Sequence, residues 1–202
     1  MTRETNLAQV AAYVAELAPA VGGCKKAVNE TALRHHFKHS EITEMVSEVK
    51  QMFCLNNGLR LGLVNKGGPE NASAWIDIPT NMPMFGTVDF AKTKLTLYVR
   101  KTFVAKASFY SLCCAISHEL SHVVIESLRH RLKKEERAVD LLAMILGFAE
   151  IYGQVAVDDS PFGNHYSGAL SGLSNSFAVS QHGYLTPEER TFARDMIIYM
   201  RK

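Results

Sequence analysis

Apolar residues recur at helical spacing through Leu7, Val10, Ala11, Val14 and Leu17, and the run stops at Gly22-Gly23. Spacings of three and four residues put these side chains on one face, so 6–21 is expected to be a helix ending at a glycine stop. A polar segment with His35, His36 and His39 follows and reads as a helix start or loop at the surface. The stripe returns at Ile42, Met45, Val46, Val49, Met52 and Phe53, with Ser40 as the expected N-cap and Asn56-Asn57-Gly58 as the stop. The period then shortens. Residues 59–64, 73–78 and 94–100 are β-compatible runs separated by turn-rich pieces. In the last of them Leu95, Leu97 and Val99 alternate with Thr96, Tyr98 and Arg100, as burial of one face requires. A small sheet of about three strands, antiparallel or mixed, is expected.

Helical spacing resumes near Ala107: Phe109, Leu112, Cys113, Ile116, Leu120, Val123 and Val124 share a face through about residue 128. A basic connection (Arg129, His130, Arg131) leads to a second helix, expected over 133–152. Residues 157–183 are rich in Gly and Ser and read as a long loop or flap. Thr186-Pro187-Glu188-Glu189 is a capping box with proline at the first helical position, opening a final helix to about 201. No internal repeat is visible. The pattern is that of one α+β domain spanning 1–202, with its core at about 40–152.

Composition narrows the class. A chain that is 47% hydrophobic and 21% charged can bury a core, so neither disorder nor a disulfide-dense mini-fold is expected. A net charge of +2 gives no basic face for nucleic acid. Cys24, Cys54, Cys113 and Cys114 form no C-x-x-C pair and are expected to be buried free thiols, as in a reducing cytoplasm. The first residues carry no apolar signal core, and the strongly apolar stretch 141–149 is about half of the ~20 residues needed to span a membrane. No membrane association is expected.

Chemistry concentrates in His118-Glu119-Leu120-Ser121-His122. Histidines four apart on a helix lie one above the other, so both can reach one ion at about 2.0–2.1 Å. Glu119 projects about 100° from His118, where it flanks the metal and handles the proton of an attacking water. A catalytic zinc site takes a third protein ligand. Glu136 and Asp140 share a face of the next helix, with Ala143 and Gly147 small enough for close approach. If the two helices run in opposite directions, His122 meets Glu136 and His118 meets Asp140. Glu136 is then the third zinc ligand and Asp140 the acceptor of the other His118 N–H, with the exchange of those two roles as the competing arrangement.

The motif followed by Glu136-x-x-x-Asp140 resembles the gluzincin zinc metallopeptidases, and in size the minigluzincins. The resemblance covers about 40–152: a backing helix, a small sheet, the motif helix and a glutamate helix. It implies a zinc-dependent peptidase whose edge strand aligns an extended peptide or protein substrate beside the metal. It also implies a Tyr or His donor to the developing oxyanion, for which His182 and Tyr184 are the candidates. A second reading keeps the fold as a latent or inactive module that senses or binds a partner, with 157–183 lying over the cleft. Among the remaining residues, His165 falls within the flap, Trp75 is expected to pack on the sheet, and 77–79 to lie at the cleft rim.

Overall fold

In the computed structural model, residues 3–69, 72–158 and 184–201 are described. Among them, helices accompany a small mixed sheet. Helix α1 (Arg3–Ala20) and α3 (Ile42–Met52) form where the apolar stripes run. Between them lies an additional helix, α2 (Glu30–Lys38), where the polar histidine segment had suggested only a surface start or loop. Asn29 caps it and Leu33 is its one buried residue, so it carries almost no apolar stripe to read. Ser40 does not cap α3. It takes a left-handed backbone (φ 58°), and Glu41 occupies the cap position without a side-chain hydrogen bond.

The sheet contains β1 (Gly58–Val64), β2 (Ala74–Ile76) and β3 (Lys94–Arg100) in the order β1-β3-β2. Strand β1 runs parallel to β3 and β2 antiparallel to it, Ala74 facing Val99 and Ile76 facing Leu97. The alternation in β3 is that of a central strand, with Leu95, Leu97 and Val99 buried. A short helix, α4 (Val88–Lys92), precedes β3, and another, α5 (Lys101–Val104), follows it.

Helix α6 (Phe109–Ser127) is the central element, capped by Ser108, whose side chain accepts from the Ser111 N–H at 3.1 Å. Its burial extends well beyond the expected stripe. Ser117, Ser121 and Ser127 are all buried, and each hydroxyl donates to a carbonyl three or four residues back, which removes the cost of an unpaired polar group.

The second helix is shorter and broken. Helix α7 (Glu136–Ala143) passes into a π-helical turn (Met144–Phe148) before α8 (Ala149–Asp158). Gly147 sits at φ 118°, and a Cβ there would lie 2.7 Å from the Lys26 carbonyl oxygen. The Lys25 and Val28 N–H groups donate to the Ile145 and Gly147 carbonyls at 2.8 and 3.1 Å. Gly147 therefore admits the strap after α1, and does not serve the approach to the motif helix expected of it. The stretch Glu136–Val155 is long and apolar enough to cross a membrane by composition, yet 89% of its most apolar window is buried inside the fold.

Helix α9 (Pro187–Met200) begins at the expected capping box, with Thr186 and Glu189 bonding each other's backbone. Cysteine burial is mixed: Cys113 and Cys114 are buried, Cys24 is half-buried and Cys54 is exposed, contrary to the expectation for the last two, and none of the four forms a disulfide.

Candidate metal centre

Helix α6 presents His118 and His122 on one face, and α7 crosses it so that Glu136 meets both. His118 Nε2 and His122 Nε2 are 3.2 Å apart, and Glu136 Oε2 lies 3.2 Å from the first and 3.3 Å from the second. Among the described residues these three form the one cluster whose potential metal-ligating atoms converge. Three tetrahedral ligands at about 2.0–2.1 Å from a common ion would stand roughly 3.3–3.4 Å apart. Glu136 Oε2 is buried and makes no well-formed hydrogen bond, its near polar neighbours being those two ring nitrogens, and a cation between the three atoms would satisfy it. The donor set thus fits zinc, and the distances fit it too.

Asp140 sits one turn after Glu136, fully buried. His118 Nδ1 lies 2.8 Å from Asp140 Oδ1; with Nδ1–H as the donor, the neutral ring turns the Nε2 lone pair toward Glu136 and His122. The same carboxylate accepts from the Tyr152 hydroxyl at 3.3 Å and from the Tyr184 backbone N–H. Asp140 thus lies behind the His118 ring, on the side away from the converging atoms. Tyr152, in α8, is a member of the site that the sequence did not indicate; it stood in an apolar run with nothing to mark its hydroxyl.

Burial works against a charged His118, but Asp140 and Glu136 outweigh it, and its pKa is pushed up to about 10. Burial also opposes ionised Glu136, yet the two imidazoles hold its carboxyl well below the usual range. Both shifts have one origin, carboxylates that favour positive charge on the ring facing them. Glu119 is different. Burial raises its pKa, and His118 and His122 only partly offset the rise, as does a hydrogen bond from the Ile76 backbone.

These groups line a cavity of about 310 Å³ with Pro69, Ala72, Ala74, Trp75, Cys114, Ala115, Tyr152 and Tyr184. Its outer wall is held by Arg100, which donates to the Ala72 and Pro69 carbonyls at 2.5 and 3.0 Å. Trp75 packs on the sheet, stacked on Tyr98 with ring centres 5.2 Å apart, and also borders the cleft. Gly68, at φ 74°, leaves room for the indole, which a Cβ would meet at 2.3 Å. Ile78 and Pro79 do line the rim, with Asp77 outside the lining.

Tyr184 stacks on the His118 ring at 5.6 Å, and its phenol is pushed up to about 12, chiefly by burial and then by the surrounding carboxylates. His182, His165 and the 157–183 segment, apart from its first residues in α8, lie outside the described residues. His35, His36 and His39 stand on or beside α2, far in sequence from this cluster and with no part in it. Comparison with protein-family models, with curated proteins and with solved structures finds no match for the chain.

Proposed function

We propose that the chain is a zinc-dependent peptidase of zincin-like, gluzincin layout, acting on peptide or protein substrates. The observation that carries this reading is the convergence of His118, His122 and Glu136 with the half-buried Glu119 beside them. Zinc held by those three residues would supply a positive charge that polarises the scissile carbonyl and makes an attacking water more acidic.

Every other task falls to the chain. Glu119 takes the water's proton and delivers it to the departing nitrogen, and its raised pKa suits both halves of that transfer. Asp140 fixes the ring of His118, and Glu136 is the third ligand because Asp140 is committed to the opposite ring nitrogen. Tyr184 keeps its phenolic proton and is the donor proposed for the oxyanion.

Strand β2 supports the alignment of an extended substrate. The Arg100 N–H donates to the Ser73 carbonyl, so by the alternation of an antiparallel ladder Ala74 and Ile76 direct their backbone groups away from β3. The Ile76 N–H is taken by Glu119, and the Ala74 groups are available to a substrate strand. Four cysteines without a disulfide are in keeping with the cytoplasmic placement that goes with this reading.

Glu119→Gln is the decisive variant. It should bind zinc as the wild type does while cleavage of a mixed peptide library falls by about 10²–10⁴-fold. Cleavage at the wild-type rate would refute the mechanism.

A further inference from the structure

A second cavity of about 390 Å³ adjoins the first at Trp75, Glu119 and His122 and follows β2 and the chain after it. Its walls are Trp75, Ile76, Ile78, Pro79 and Thr80, and it opens onto Glu119 and His122. Glu126, one turn beyond His122 on α6, and Lys133, in the connection to α7, complete it. The Lys133 ammonium donates to Glu126 Oε2 at 2.8 Å, and both side chains are partly exposed.

We infer that this cavity is a substrate side-chain subsite for long, uncharged residues, such as Met or Gln, and that the Glu126–Lys133 pair sets that preference. The inference rests on the peptidase reading for what occupies the cleft, but not on turnover. The apolar wall accommodates an aliphatic stem. At the far end, an ammonium with spare N–H donors and a carboxylate with spare lone pairs can both engage a neutral polar tip. A charged tip gains from one partner what it loses to the other, and it disrupts a pair already made. Selectivity against both signs of charge follows from pairing the two residues. Each alone would select the opposite charge.

Trp75 is the sole tryptophan and borders both cavities, so its fluorescence reports occupancy of the cleft. End-capped peptides of one sequence, carrying Met, Gln, Lys or Glu at each position in turn, are titrated into zinc-loaded protein bearing Glu119→Gln. At one position, Met and Gln should bind about fivefold more tightly than Lys and Glu, the scale of a partly exposed charge contact. Adding Lys133→Met should move the preference at that position to Lys, and Glu126→Gln should move it to Glu. Combining the two should restore the neutral preference, which no loss of folding would do. An unchanged ranking across these proteins, or no peptide response from Trp75, overturns the subsite. Absence of cleavage with Glu119 restored, alongside a preserved switch in binding, would refute the catalytic reading and leave the subsite standing.

Discussion

Two pairs of histidines in this chain share the same four-residue spacing at a helix, and only one of them meets a third potential ligand. His35 and His39 have ring centres 4.3 Å apart, closer than the 4.9 Å between His118 and His122. Spacing therefore does not distinguish them. The first pair is exposed, at the end of a helix that buries only Leu33, and His39 Nδ1 bonds the His35 carbonyl of its own turn. The nearby Glu41 pairs with His36. The second pair sits on a helix buried on nearly every side and meets two carboxylates from a different helix, one behind the ring and one before it. The crossing helix makes the difference: Asp140 bonds His118 from behind, and Glu136 would complete the proposed ligand set.

Five variants test that contrast. His118→Ala or His122→Ala should lower zinc affinity on the order of a thousandfold, about a third of a typical ~10–16 kcal/mol for a structural zinc site, read by competition with a chromophoric chelator. Asp140→Asn, which keeps the shape but weakens the orienting bond, should lower it about 10–100-fold. Tyr152→Phe removes one of the hydrogen bonds to Asp140, so stability to urea should fall by about 1 kcal/mol, with a smaller loss of zinc affinity than Asp140→Asn. His35→Ala combined with His39→Ala should leave zinc affinity unchanged and alter stability by no more than about 0.5 kcal/mol. If that double variant lost zinc, the distinction drawn between the two pairs would be wrong.

Legibility in the sequence followed the same division. Helices α1, α3, α6 and α9 and strand β3 could be read because each buries a regular stripe or opens on a defined cap. Helix α2 could not, since one buried leucine makes no period. The break at Gly147 was invisible for another reason: it is imposed by Lys26, about 120 positions earlier in the chain, whose carbonyl occupies the space a side chain would need. The parallel pairing of β1 with β3 likewise depends on which strands meet, which periodicity does not encode. At the candidate site, the meeting of α6 with Glu136 and Asp140 could be anticipated from spacing and the short connection. Tyr152 could not, because its hydroxyl matters only once α8 has folded back against Asp140.

The most direct test is a zinc-soaked crystal examined for anomalous scattering at the zinc edge. The proposed zinc centre requires one strong peak within about 2.0–2.2 Å of His118 Nε2, His122 Nε2 and Glu136 Oε2 together. A peak at the α2 histidines instead, or no peak where those three atoms meet, would contradict it.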